Sequence, residues 1–405
     1  MSTKVLIVGA GPAGTACATE LHRAGAEVLV IDKSAFPRDK CCGDGLTTSA
    51  LRHLEHLGFD LDRVPNARGC TDVFVHSPAN RTVSLSLPVD GSKYAVIAPR
   101  MELDHALVNH CRDLGVQIVE QAALVSVDDN GADGVAVTID GIGTRTFDYV
   151  VAADGMWSPT RRMLGLNTDG YLGEWHAFRQ YVGNVTGPAA NELHVWFEED
   201  LLPGYAWSFP LPGNRVNFGF GILREKGHSV QHMNDLWRSL LSRPRIVAAL
   251  GEGFVPEGRH TAWPIPARVD TAVRSSGRVL FVGDAVCATD VLTGEGIGQA
   301  LETGMLAARA ITEGKTAPDV RARYSGLIDR NFVPDHRMST TLGRWLAGRR
   351  VTETVLRLVD LNGWTRRNFV RWMFEDEPRA VVLTPRRWHR DFLKRSGAYG
   401  GPGSH

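Results

Sequence analysis

The 405-residue sequence has little that would commit it to an extracellular, membrane-spanning or nucleic-acid-binding life. Its six cysteines (Cys17, Cys41, Cys42, Cys70, Cys111, Cys287) are scattered. They make no C-x-x-C pair and no Cys/His cluster at zinc spacing, which argues against a disulfide framework and a structural metal. No apolar run reaches the roughly 18 residues a membrane span requires. The apolar run near residue 5 reads as a strand, not a secretory leader. A cytoplasmic protein with reduced thiols is therefore expected. Formal net charge is zero, so no global field points to nucleic acid. No repeat and no low-complexity segment appears before the glycine-rich end, and 396–405 is expected to be disordered. What remains, 43% hydrophobic and 22% charged, is enough for a large core or two fused domains.

The neutral total hides a local excess. His336 to Arg395 holds 14 Lys/Arg against 6 Asp/Glu, with Trp345, Trp364, Trp372 and Trp388 interleaved. One reading is a solvated basic helical tail whose aromatics pack on the body. The other is peripheral attachment through 336–395 to an anionic membrane surface.

Chemistry begins at the N-terminal end. The apolar run KVLIV at 4–8 reads as a buried parallel strand. Gly9-Ala10-Gly11-Pro12-Ala13-Gly14 follows it, then a helical pattern, then a second strand from Glu27 to Ile31 closed by Asp32 and Lys33. Strand, glycine turn, helix, strand and terminal acid form the dinucleotide fingerprint in its proper context. The glycines allow close approach of a pyrophosphate, the helix N-terminus faces it, and the carboxylate accepts from ribose hydroxyls. Two later stretches refine the reading. A strand-like run ends in Asp154-Gly155-Met156-Trp157-Ser158-Pro159-Thr160-Arg161. Another ends in Gly283-Asp284-Ala285, followed by Thr293-Gly294-Glu295-Gly296-Ile297-Gly298 at the start of a long helix. These resemble the D-G-x-x-S-x-x-R and G-D motifs of the FAD-dependent, hydroxylase-like flavoproteins. The resemblance implies FAD as cofactor, with Asp284 on its ribityl chain, the Gly294–Gly298 backbone, Gly296 and Ile297 included, at its pyrimidine end and Arg100 nearby. No second G-x-G-x-x-G unit is present, so electrons are expected from a visiting NAD(P)H or another reduced donor.

Around these motifs the pattern predicts an α/β fold. A discontinuous Rossmann-type FAD-binding domain takes 1–75, 98–170 and 270–315. An antiparallel-sheet substrate domain takes 76–97 and 171–269, and a helical basic region runs over 316–395. Within the first, 122–127, 134–139 and 145–151 read as a meander. A helix is expected at 101–113 and another over 231–250.

The stretch Tyr205-Ala206-Trp207-Ser208-Phe209-Pro210 puts three aromatics on one side of a strand. Pattern alone leaves open a packed sheet core or the wall of a tunnel for a long apolar substrate. Gly219 and Gly221 in the next strand imply that something approaches it closely. Y-x-W-x-F-P followed by G-x-G resembles the substrate-site signature of the geranylgeranyl reductase family, which reduces isolated C=C bonds of polyisoprenoids with FAD. That family also carries a P-x-x-K-x-C-G loop, read here as Pro37-Arg38-Asp39-Lys40-Cys41-Cys42-Gly43, so the family cysteine falls at Cys42. The loop looks most like that of actinobacterial menaquinone reductases. The resemblance runs from Val5 to about Ala308 and implies a polyprenyl lipid or quinone substrate.

The adjacent cysteines could be a strained vicinal disulfide, part of a metal site, two small packing residues or one working thiol. The resemblance favours the last, with Cys42 supplying or relaying a proton and Cys41 packing beside it. A thiol with a pKa of about 8.5 stays mostly protonated at neutral pH. Tyr205 and Trp207 would shape the site and face the developing positive charge, and Phe209, Gly219 and Gly221 would border the substrate. A water near Gly296 is the alternative acid. The rival within the same cofactor class is a monooxygenase or halogenase. Halogenases carry a tunnel lysine, and the sequence offers no evident counterpart.

Overall fold

The computed structural model describes residues 2–374, apart from 90, 132–133 and 225–229, together with Ala380. Trp388 and the expected disordered end at 396–405 lie outside the described residues.

The run KVLIV is a strand, Lys4–Val8, buried from its second residue onward. Its interior residues are apolar because strands flank both edges, helices cover one face and an antiparallel three-stranded sheet covers the other. It is fourth in a six-stranded sheet ordered Ser275–Ser276, Val279–Phe281, Tyr149–Ala152, Lys4–Val8, Glu27–Ile31, Gln117–Val119. All neighbours are parallel except the two-residue edge strand Ser275–Ser276. Parallel pairing explains how strands far apart in sequence converge at their C-terminal ends, where a ligand crevice forms.

The expected meander is shorter than the sequence pattern implied. Leu124–Gly131, Gly134–Ile139 and Gly143–Phe147 form an antiparallel three-stranded sheet. The run 145–151 divides at Asp148, whose amide donates to Lys4 O and whose carboxylate accepts from Lys4 N. Those two bonds steer Tyr149–Ala152 into the parallel sheet.

The second layer is a seven-stranded sheet ordered Val255–Ile265, Trp175–Gly183, Arg215–Leu223, Tyr205–Leu211, Leu193–Trp196, Asp72–His76, Thr82–Ser86. It is antiparallel except where Leu193–Trp196 runs parallel to Asp72–His76. Its first contribution from the N-terminal half begins at Asp72, ahead of the boundary expected at 76. Behind it, the expected helix over 231–250 is two helices, Val230–Leu241 and Pro244–Leu250. Pro244 forces Arg243 into extended backbone and starts the second helix. Both pack on the face carrying Phe218 and Phe220. The other face looks toward the parallel sheet.

Toward the C-terminus the helices Ala317–Asn331, Val333–Leu346, Arg349–Val359 and Gly363–Phe374 follow in sequence. The last two reach the edge of the seven-stranded sheet, where Leu356, Val359 and Val370 join Val73, Val83 and Leu85 in one buried cluster.

Candidate active site

Two helix N-termini and one sheet face enclose a cavity of about 1200 Å3. Small-molecule sites are commonly about 300–1,000 Å3, so this one has room for more than a compact ligand. Its floor is the glycine fingerprint. Gly9 adopts φ +105°, and a Cβ there would lie 2.4 Å from Ala153 O. Gly14 does not border the cavity; a Cβ on it would strike Gly9 O at 1.9 Å, so it lets the helix close on its own turn. Gly11 faces open space, with Arg38 Nη2 3.6 Å from its virtual Cβ. No side chain caps the helix Pro12–Arg23, and its first turn is available to an anion. Asp32 is buried and accepts from Ala10 N at 2.9 Å and Ser34 N at 2.8 Å. Ala13 and Lys33 also border the cavity.

The later motifs arrive at the same place. Asp154 accepts from Thr160 N at 2.9 Å through Oδ2, while its Oδ1 is buried with no partner. Gly283 opens a one-turn 3-10 helix carrying Asp284. Gly294 takes φ +70°, and Gly296 precedes the helix Ile297–Glu313, which also lacks a capping side chain. All of these border the cavity. An open glycine position, two uncapped helix N-termini and an orphaned carboxylate oxygen fit the phosphates and hydroxyls of FAD.

Opposite this floor lies the aromatic strand. Residues facing each other across antiparallel strands share a face, and the register pairs Tyr205 with Gly221, Trp207 with Gly219 and Phe209 with Asn217. The indole of Trp207 lies over Gly219, where a Cβ would be 2.3 Å from its Cζ2. The close approach implied by this glycine is thus made by Trp207. Gly221 has open space beside it, and neither glycine borders the cavity. Trp207 Nε1 donates to Asn217 Oδ1 at 3.2 Å, and Asn217 Nδ2 donates to Cys42 O and to Asp44 Oδ2, each at 2.8 Å. Gly43 and Gly45 lie against Trp207 and Phe209 closely enough that a Cβ would meet the Phe209 ring at 3.2 and 3.3 Å. The Tyr205 hydroxyl donates to Thr293 O on the other loop. The aromatic strand therefore touches both the thiol loop and the glycine loop.

All six cysteines are free. Cys41 and Cys42 both border the cavity. Cys41 Sγ donates to Thr261 O at 3.6 Å. Burial pushes the Cys42 thiol up, against the pull of the Arg100 guanidinium beside it. Arg100 is buried and bidentate on Asp104, at 2.7 and 2.8 Å. It borders the cavity near the thiol as well as near the fingerprint end, where Arg38 also pairs with Asp104 at 3.2 Å.

Three further polar residues stand here, Lys40 and Arg179 in the wall and Asp44 behind it. Lys40 borders the cavity, its Nζ 3.6 Å from Asp284 Oδ2 and 3.8 Å above the Trp263 ring; a cavity lysine thus exists where the sequence offered none. Burial lowers its pKa, with Asp284 opposing. Asp44 is wholly buried and raised to about 6 by burial, with Asn217 its chief counterweight. Arg179 reaches Asp39 at 2.7 Å. The basic tail supplies the far end of the cavity: Leu342, Trp345, Leu346, Val355, Phe369 and Trp372 border it. The i, i+4 spacing of Val351 and Val355 was the available signal, but a helix packed on any core shows the same pattern.

The chain matches the FAD binding domain family over residues 2–317. It is 32% identical over 349 residues to the menaquinone reductase of Mycolicibacterium smegmatis, covering 81% of each chain. It is 27% identical over 331 residues to the digeranylgeranylglycerophospholipid reductase of Methanosarcina mazei, covering 78% of this chain and 76% of that one. Among solved structures it resembles a geranylgeranyl bacteriochlorophyll reductase-like protein from Thermoplasma acidophilum, with TM-score 0.77 and 20% identity over 95% of this chain and 99% of that one.

Proposed function

The chain belongs to the FAD binding domain family, and from that premise we propose that it is an FAD-dependent reductase that saturates C=C bonds of a polyisoprenoid chain, with a menaquinone side chain as first candidate. The observation that carries this reading is the packing of the thiol loop on Trp207 and Phe209 beside one apolar-walled cavity. The named activities of the two relatives support the same reaction class.

Reduced FAD, when bound, supplies a hydride. Everything else falls to the chain. An isolated alkene is a poor hydride acceptor, so protonation must accompany or lead hydride delivery. Cys42 holds its proton because burial disfavours the thiolate, and Arg100 stabilises the thiolate once the proton leaves. Tyr205 and Trp207 face the carbon that gains positive charge. Cation–π attraction there reaches roughly 2 kcal/mol in a desolvated site. The Tyr205 hydroxyl is engaged by Thr293 O, so this residue acts through its ring. Phe209 and the aliphatic side chains beyond it exclude water and direct the chain toward the tail helices. Electrons come from NAD(P)H or another reduced donor. The tail serves peripheral docking to the membrane that holds such a substrate.

The test is anaerobic photoreduction of the enzyme followed by menaquinone or a geranylgeranyl lipid. Reoxidation of the flavin with a gain of two hydrogens in the lipid by mass spectrometry is expected. Hydroxylated or halogenated product formed only with oxygen would overturn the reading.

A further inference from the structure

We propose that the sheet measures its substrate. Trp207, Val195 and Val75 are three rungs of a ladder that holds an extended, all-trans prenyl chain at one isoprene unit per strand. This rests on the reductase reading above and adds the shape of chain that the reductase takes.

The register supplies the rungs. Across the neighbouring strands Tyr205–Leu211, Leu193–Trp196 and Asp72–His76, Trp207 stands opposite Val195, and Val195 opposite Val75. All three border the cavity. Alternation along the strands turns Phe74, His76, His194 and Trp196 to the other face, where their rings stack with centroids 5.2–5.3 Å apart. That stack fixes the valines on the cavity side. The valines are short, and their flanks are taller. Leu193, opposite Val73, borders the cavity on one side of the row. Phe197, its ring 6.0 Å from that of Tyr205, borders it on the other. Beyond Val75 the row meets the tail helices, whose Leu356 and Phe369 border the cavity and pack in the same cluster as Val75.

Spacing decides the occupant. Neighbouring strands lie about 4.8 Å apart. An isoprene unit advances its chain by four carbon–carbon bonds of about 1.5 Å, which in a trans zigzag extend about 5 Å. The two repeats agree. Successive units of a trans chain laid across the strands therefore meet successive rungs in the same way, methyl branch included. A cis unit turns both chain bonds to one side of its double bond, advances less and leaves the row. The ladder also sets direction. Val195, Val75 and their flanks are hydrocarbon, so a headgroup carbonyl laid on them would be buried without a partner. The sheet order puts Arg179, and Trp263 with the Lys40 ammonium above it, on the other side of Trp207. Both cations border the cavity there. A polar headgroup thus lies toward Lys40 and Arg179, the reacting bond lies over Trp207, and the rest of the chain leaves along the valines toward the tail helices.

The experiment gives flavin-loaded, reduced enzyme a series of naphthoquinones that differ by one trans isoprene unit, and locates the saturated bond by tandem mass spectrometry. In wild type, kcat/KM is expected to rise about tenfold for each of two units added beyond the reacting one, then to level off, because later units lie past Leu356 and Phe369. Val75→Phe is expected to erase the outer gain alone, and Val195→Phe both. Each gain is read as the ratio of kcat/KM between a longer and a shorter probe on the same variant, so a general loss from poor folding cancels. A further arm needs no variant: with wild type, a probe whose unit after the reacting one is cis is expected to gain nothing from its added length. Gains lost in any other order, equal gains from cis and trans units, or gains that continue past the second unit would overturn the ladder and leave the reductase standing. Flavin reoxidation by none of the probes would remove both.

Discussion

Gly219 lacks a side chain because an indole occupies the space. A Cβ there would also lie 2.5 Å from Phe178 O, so neither the strand nor the ring can yield easily. Gly219→Ala should tip Trp207 off its neighbour strand, break its bond to Asn217 and loosen the thiol loop that Asn217 holds. Overpacking of this kind costs roughly 1–3 kcal/mol. Thermal unfolding of the flavin-loaded variant should show that loss, and lipid-driven flavin reoxidation should slow more than stability alone would explain. Asp44 gives a second prediction, with a definite sign. Its folded pKa is raised from an ordinary 3.8 to about 6, so the fold favours the protonated form. Its contribution is complete below the unfolded value and is lost as pH rises through about 6, by roughly 3 kcal/mol at most. Asp44→Asn should therefore flatten the fall in stability between pH 4 and 7, measured as denaturant midpoints. An unchanged slope would show that this carboxyl ionises as freely in the fold as outside it.

Elements with a strong physical signature were legible before the fold was known. The parallel strands read as continuous apolar runs because both faces are covered, and the two glycine turns read as helix starts. The two-residue strands Gly45–Leu46 and Arg68–Gly69 were not legible, since no periodicity can show in two residues. Nor was the split at Asp148, which depends on a partner 144 residues away. The site divides in the same manner. Cys42, the fingerprint and the aromatic strand carry local patterns. Asp44, Tyr181 and Lys40 acquire meaning only through partners 137 to 244 residues distant in sequence, Asp44 and Tyr181 through each other and Lys40 through Asp284. One element contact tests the cofactor floor. The helices Pro12–Arg23 and Ile297–Glu313 approach until a Cβ on Gly304 would lie 2.2 Å from Ala13 O. Gly304→Val should push apart two helices whose N-termini face one cavity. Flavin absorbance per protein should fall severalfold while far-ultraviolet circular dichroism stays native. Full flavin retention would show that the two N-termini need not be held in register.

At the scale of the whole molecule, the cavity runs from the parallel sheet to the tail helices, and no described helix is long and apolar enough to cross a membrane. For the proposed polyprenyl substrate, which a membrane would hold, the docking surface proposed above lies on the tail helices. Their inner side chains border the cavity, Trp345 sits at its rim, 64% exposed, and their outer face exposes Leu358, Leu361 and Trp364 beside exposed Arg344, Arg349 and Arg350. Large apolar side chains left in water and rimmed by arginines fit an anionic bilayer, to which each basic residue near the surface adds roughly 1 kcal/mol. Aromatic rings settle at the headgroup level. Leu361 and Trp364 are 66% and 74% exposed and lie outside the cavity wall, so they separate docking from chemistry. The double variant Leu361→Glu, Trp364→Glu loses two apolar anchors worth roughly 1.5–3 kcal/mol each when buried. Its binding to anionic vesicles should weaken at least about 100-fold, while flavin content and turnover of a short, detergent-dispersed prenyl probe hold. Wild-type binding should fall as salt rises, because screening beyond about 10 Å removes the arginine share. Undiminished vesicle binding by the double variant would move the docking face elsewhere, and equal loss of turnover on the dispersed probe would make these side chains part of the channel instead.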